Sequence, residues 1–204
     1  MLVSFEGIDG CGKSTQIKLL SDLLENAGKN VLTIREPGGN VLSESIRTML
    51  LSSKNDIDPI TELLLFESAR ANLINKTINP KLKEGYIILT DRFYDSTTAY
   101  QGYGRGLDLN SINQLNKIAT SGLTPDITFL LDVTIETSKK RSNRRIADRI
   151  ESSDDEFYLR VIHGFHEIAA QNSDRVFTID ANNDISTTHE HILSILRNKF
   201  PEIK

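Results

Sequence analysis

Gly7-Ile8-Asp9-Gly10-Cys11-Gly12-Lys13-Ser14 sets glycines, a lysine and a hydroxyl at the spacing Gly-x4-Gly-Lys-Ser/Thr, with Thr15 next in line. The run follows the short apolar segment Leu2–Phe5 and precedes a stretch of helical periodicity, which is the strand–loop–helix context this pattern requires. Glycines let the backbone come close to a ligand, and loop N–H groups together with a helix N-terminus favour an anion. The ligand this chemistry suits is a polyphosphate, with Lys13 on the outer phosphates and the Ser14 hydroxyl on Mg²⁺. Gly7 to Thr15 are therefore read as the site of a nucleoside triphosphate. Cys11 is the one cysteine of the chain and has no histidine near it in sequence, so it reads as a small side chain filling a tight turn. His163, His166, His189 and His191 fall in late helical segments without cysteine partners, which argues against zinc.

A phosphate cradle alone does not separate a switch, a motor, an ATPase and a kinase. Asp91-Arg92 follows a second apolar strand, at the carboxyl edge where ligands bind in such sheets. Asp91 is placed to hold Mg²⁺ through water and Arg92 to hold a second phosphate. Arg35-Glu36-Pro37-Gly38-Gly39 adds an arginine and a rigid turn to the same edge. Arg141, Arg144, Arg145 and Arg149 crowd one segment, about residues 141–153, which reads as a lid bringing positive charge onto a transferring phosphoryl group. Lys13, Arg92, Arg144, Arg145 and Arg149 form the expected catalytic set. A guanine-binding switch would carry Asn-Lys-x-Asp after a late strand; Ser53-Lys54-Asn55-Asp56 is the nearest approach and stands in the wrong place.

The elements that must position these residues follow from apolar spacing. Leu2–Phe5, Val31–Ile34, Tyr86–Thr90, Ile127–Leu131 and Val176–Ile179 read as five strands alternating with longer amphipathic stretches, the signature of a parallel sheet covered by helices on both faces. Ile17, Leu20, Leu24 and Ala27 mark one helical face, closed by Gly28. Pro59 and Pro80 bracket a further helix, and the segment from Tyr94 to Gln101 is expected to be helical. The chain has 204 residues with no repeat, linker or charge block to divide it, so residues 1–204 read as one α/β domain. Hydrophobic residues make up 38% and the longest apolar runs are four residues, which leaves no transmembrane candidate. With 24 basic against 28 acidic residues the net charge is −4, so neither a nucleic acid nor a membrane is expected as a partner. The lone cysteine and the lack of a secretory leader fit a cytoplasmic protein.

Taken together, Gly7 to Thr15, Arg35 to Gly39, Asp91-Arg92-Phe93 and the segment from Arg141 to Glu151 closely resemble the thymidylate kinase family, from Phe5 to about Asp180. Ser96-Thr97, Ala99-Tyr100-Gln101-Gly102 and Gly104-Arg105-Gly106 look like its bacterial branch. The resemblance implies a P-loop fold of the nucleoside monophosphate kinase type and transfer of the ATP γ-phosphoryl group to dTMP. It further implies Mg²⁺ and a homodimer. It places Phe66 on the thymine ring and Arg70, one helical turn on, at a thymine carbonyl. Asp9 would meet the sugar 3′-hydroxyl, Arg92 the monophosphate and Tyr100 the 2′ edge of the sugar. Arg35, Thr97 and Gln101 complete the implied substrate set. Family members of the eukaryotic branch place an arginine where this chain has Gly10, so this chain resembles the class whose lid supplies that charge, with Arg144 and Arg145 as candidates.

Overall fold

The computed structural model describes residues 1–142 and 148–201. Arg144 and Arg145, the lid candidates, lie outside the described residues. The chain runs β1 (Leu2–Glu6), α1 (Lys13–Asn26), β2 (Val31–Arg35), α2 (Val41–Leu51), α3 (Pro59–Leu73), α4 (Asn79–Lys83), β3 (Ile87–Asp91) and α5 (Tyr94–Thr97). It continues with α6 (Leu109–Thr120), β4 (Ile127–Asp132), α7 (Ile135–Ser142), α8 (Asp155–Gln171), β5 (Val176–Asp180) and α9 (Ile185–Lys199). The five strands form one parallel sheet in the order β2-β3-β1-β4-β5, with Val3 opposite both Leu89 and Ile127. From β1 the chain crosses to β2 on one side, and from β3 to β4 on the other. Their carboxyl ends therefore open a crevice at the sheet's switch point, where ligands collect in such folds.

The three central strands are buried on both faces, while the edge strands β2 and β5 are partly exposed. Every residue of β1 is buried, as are Ile87–Thr90 and Ile127–Leu131. Leu20 and Leu24 of α1 pack with Phe5 and Phe129 beneath one face, while Leu73, Ile74, Ile78, Ile88 and Phe93 fill the other. Each strand runs one residue further than its apolar segment, ending on Glu6, Arg35, Asp91, Asp132 or Asp180.

Two helical expectations are corrected. The helix opened by Pro59 does not run unbroken to Pro80. It loosens into a π-helical stretch at Ile74–Ile78, and Pro80 sits in the first turn of α4, where its missing N–H costs nothing. Likewise only Tyr94–Thr97 is α-helical in the expected Tyr94–Gln101 helix; Thr98–Gly104 continues as a π-helix. The wider turn brings Tyr100 and Gln101 around toward the cleft, a usual place for such irregularities.

Candidate active site

The P-loop is shaped by backbone that only glycine tolerates well. Gly7 has φ 128°, and a Cβ there would collide with the Leu131 carbonyl of β4. Gly10 has φ 72°, and a Cβ there would come within 2.7 Å of both the Ser138 carbonyl and the Ser142 Oγ of α7. The Ser138 hydroxyl donates to the Asp9 carbonyl at 2.7 Å, so α7 is seated directly on the loop. Lys13 lies buried with its ammonium donating to the carbonyls of Gly7 and Ile8, each at 3.1 Å, beside Cys11 Sγ at 3.5 Å. Ser14 donates to Asp91 Oδ2 at 2.9 Å, which joins the expected Mg²⁺ residues of the loop and of β3. Two hard oxygen donors side by side fit Mg²⁺. No cluster of three or more His, Cys, Asp or Glu side chains stands ready for a metal among the described residues. That donor set suits an ion that arrives with nucleotide phosphates and keeps water ligands.

Arg92 occupies the junction. Its Nη1 donates to the Gly7 carbonyl at 2.8 Å and to Ser96 Oγ at 3.1 Å; its Nη2 donates to Asp9 Oδ1 at 3.0 Å and to Tyr100 Oη at 3.2 Å. The structure thus brings Asp9, Arg92 and Tyr100 together from three elements. Tyr100 is buried edge-on against Phe157 and Phe165 of α8, with the Arg92 guanidinium 5.0 Å from its ring centre.

A second group stands on α3. Phe66 is half-buried at the cleft wall and Arg70 is buried behind it. Arg70 Nε donates to Glu36 Oε2 at 2.7 Å, Nη1 to Glu67 Oε1 at 2.5 Å and Nη2 to Thr97 Oγ1 at 3.0 Å. Thr97 therefore orients Arg70. Gln101 spends its amide N–H on Glu62 Oε1 at 2.8 Å while still lining the cleft. Arg35 is exposed at the cleft mouth, paired with Glu44 at 3.1 Å. Arg149 does not line the cleft. Its guanidinium holds Glu62 Oε2 at 2.5 Å and the Leu50 carbonyl at 2.8 Å, tying the base of the lid to α2 and α3. Glu62 is 1% exposed; burial works against its charge, but Arg105, Gln101 and Arg149 hold its carboxyl below the usual range.

Lys13, Arg35, Phe66, Arg70, Asp91, Arg92, Thr97, Tyr100 and Gln101 line one continuous cleft of about 1300 Å³, whose lining also includes an arm at Arg141–His189. The arm at Phe66 and Arg70 was expected, and so was Arg141 as part of the lid segment; Asn183, Ser186 and His189, which line the other arm, were not. Arg141 reaches the Ala181 carbonyl at 2.9 Å, and Gln16 bridges the Ile185 carbonyl and His189 Nδ1. The polar loop Asp180–Asp184, placed directly after the last strand at the carboxyl edge, was the available signal. Arg47, which lines the cleft and donates to the Pro37 carbonyl at 3.0 Å, was also missed, since one arginine on an amphipathic helix reads as a solvated residue.

Glu6 was missed for the opposite reason: it is the last residue of a buried strand. Its Oε1 accepts from Phe93 N at 2.7 Å and Ser4 Oγ at 2.9 Å, its Oε2 from Ser96 Oγ at 2.5 Å. Burial, with Asp95 adding repulsion, pushes its carboxyl up from 4.5 to about 7. A carboxyl whose value rises on folding contributes stability that is present below its unfolded value and lost as pH climbs through the folded one. Between pH 4.5 and 7 the wild type is therefore expected to lose stability relative to Glu6→Gln, by about 3 kcal/mol in total. Urea melts of both proteins at several pH values check this; parallel stability curves would show that Glu6 stays ionised.

The class follows from the fold and the cleft: a P-loop kinase of the nucleoside monophosphate type, with a triphosphate cradle facing a second substrate arm across one arginine. The family model described as Thymidylate kinase matches residues 5–192. The chain is 50% identical over 209 residues to the thymidylate kinase of Prosthecochloris aestuarii, covering 98% of this chain and 94% of that one. It is 47% identical over 204 residues to that of Chlorobaculum tepidum, with 95% of each covered. The crystal structure of thymidylate kinase from Ehrlichia chaffeensis superposes with a TM-score of 0.79 at 38% identity, covering 96% of this chain and 98% of that one. The chain belongs to the thymidylate kinase family.

Proposed function

We propose that the chain transfers the γ-phosphoryl group of ATP to dTMP, giving dTDP and ADP. The observation that carries this reading is Arg92, held by the P-loop carbonyl of Gly7 and by Asp9 in the same cleft as Lys13. ATP lies along the P-loop, with its base in the Arg141–His189 arm. The monophosphate enters the other arm, where Phe66 stacks on the base, Arg70 and Gln101 read its polar edge and Asp9 and Tyr100 flank the sugar. Arg92 exchanges part of its bonding for the acceptor phosphate, and Arg35 adds charge at the mouth. Mg²⁺, held by Ser14 and through water by Asp91, would neutralise the phosphates of ATP when bound. Transfer of a phosphoryl group needs little covalent help; positioning and charge neutralisation supply most of the acceleration. An acceptor monophosphate is already anionic near neutral pH, so no general base is required. The lid, with Arg144 or Arg145, completes the charge clamp and excludes water from ATP. Arg149 serves it as an anchor.

A panel of nucleoside monophosphates assayed with ATP and Mg²⁺ tests the reading. dTMP is expected to have the highest kcat/KM. dUMP, which lacks one methyl group, should be roughly 10–200-fold poorer yet measurable. Preference for a purine or cytosine monophosphate would overturn the substrate assignment, and binding of GTP over ATP without acceptor turnover would revive a switch.

We also propose a homodimer in the cytoplasm. Leu42 and Met49 on α2 are 53% and 52% exposed, and Ile60 and Leu64 on the adjoining α3 are 53% and 47% exposed. Contiguous apolar surface of this kind marks an interaction face. Met49→Asp with Leu64→Asp should sediment as a monomer where the wild type is a dimer; an unchanged dimer would place the interface elsewhere. The lone cysteine, buried in the P-loop, fits a reducing compartment. No helix among the described residues is long and apolar enough to cross a membrane.

A further inference from the structure

Arg92 is held in a conformation its own sequence does not favour. Its φ is 73°, in the left-handed region that a non-glycine residue occupies only when its surroundings over-determine it. α5 follows at once, runs on into the π-helix of Thr98–Gly104, and has no side-chain cap at Phe93. Two anchors hold it from outside. One is Glu6, which binds Phe93 N and Ser96 Oγ. The other is Asp95, whose carboxylate receives both terminal nitrogens of Arg175, Nη1 at 2.7 Å and Nη2 at 2.9 Å.

Arg175 comes from one residue before the edge strand β5, 80 positions along the chain from Asp95. It is itself fixed, by Thr128 Oγ1 at 3.2 Å and by the Tyr94 ring at 5.3 Å, and it does not line the cleft. Both members of the pair are buried, at 9% and 4% side-chain exposure. A bidentate arginine–carboxylate pair fixes orientation as well as distance. Asp95 also lies close enough to Glu6 for the two carboxylates to repel; Arg92 offsets the charge on Glu6 and Arg175 that on Asp95. The turn they anchor carries Ser96, whose Oγ accepts from Arg92 Nη1.

We infer that Arg175 is a positioning residue for phosphoryl acceptance: through Asp95 it sets the α5 turn, and through Ser96 the guanidinium of Arg92. This rests on the reading of Arg92 as the holder of the acceptor phosphate. The test is the Kd of dTMP and of a non-hydrolysable ATP analogue for Arg175→Met, Arg92→Ala and the double variant, alongside their Tm values. Arg175→Met should weaken dTMP on the order of 10–100-fold while changing the ATP analogue less than twofold. The double variant should bind dTMP no worse than Arg92→Ala alone, because the two act through one group. If Arg175→Met does not fold, Arg175→Lys, which keeps the charge but not the fork, should show the same selective loss in smaller measure. Unchanged dTMP affinity with a lowered Tm, or equal loss for both ligands, would overturn the inference while leaving Arg92 in its role. Additive losses in the double variant would do the same. Normal dTMP binding by Arg92→Ala would overturn both.

Discussion

Lys13→Ala should abolish nearly all phosphoryl transfer while leaving the fold in place. The buried ammonium makes only hydrogen bonds within the loop, to the carbonyls of Gly7 and Ile8 and to Cys11 Sγ, so its loss changes stability by about 1 kcal/mol. In the proposed mechanism its part in transfer is larger, because there it faces charge that builds on the moving phosphoryl group. Removal of one preorganised donor of this kind costs on the order of 10²–10³ in kcat. Steady-state assay at saturating ATP and dTMP, with circular dichroism as the folding control, measures both effects. Near-normal turnover by Lys13→Ala would remove the P-loop from the mechanism.

Arg70→Met is expected to damage stability most. Glu36 and Glu67 are 4% and 6% exposed at the side chain, and Arg70 is the cation between them. Glu36 Oε1 and Glu67 Oε2 have no hydrogen-bond partner even with Arg70 present. Burial already pushes the Glu36 carboxyl up, with Glu67 adding repulsion. Without the guanidinium, two buried carboxylates stand unpaired, at a cost of about 3–5 kcal/mol near neutral pH. Glu36, already pushed up by burial, would then take up a proton on folding, so the loss should be smaller at pH 5 than at pH 8. Adding Glu36→Gln and Glu67→Gln to Arg70→Met should recover most of the stability but not dTMP affinity. Recovery of both would show that Arg70 is structural; equal destabilisation at pH 5 and pH 8 would show that the carboxylates are not its burden.

The sheet was legible in the sequence because parallel strands buried on both faces must be apolar, and all five runs stand where they were expected. Their ends were not legible. Apolarity stops one residue early at Phe5, Ile34, Thr90, Leu131 and Ile179, and the next residue in each case is a charged one at the carboxyl edge. Glu6, Asp91 and Arg35 are thus the last rungs of strands and the first parts of the site. The P-loop was legible because its chemistry is local, fixed by eight consecutive residues. Its meeting with Arg92 and Tyr100 could be reached only through the family resemblance, since φ 73° at Arg92 and the π-turn after Thr97 leave no periodic trace. The Asp95–Arg175 and Glu62–Arg149 pairs, 80 and 87 positions apart, were beyond any local pattern. Arg149 was named with the lid arginines, and its bonds to Glu62 and the Leu50 carbonyl left no trace in the pattern that named it.

The close seating of α7 on Gly10 also limits the routes by which this family could diversify. A long cationic side chain at position 10 and the present place of Ser138 and Ser142 claim the same volume. An arginine grafted there would not simply duplicate the lid's charge; it would lift α7 and strain a loop already at φ 72°.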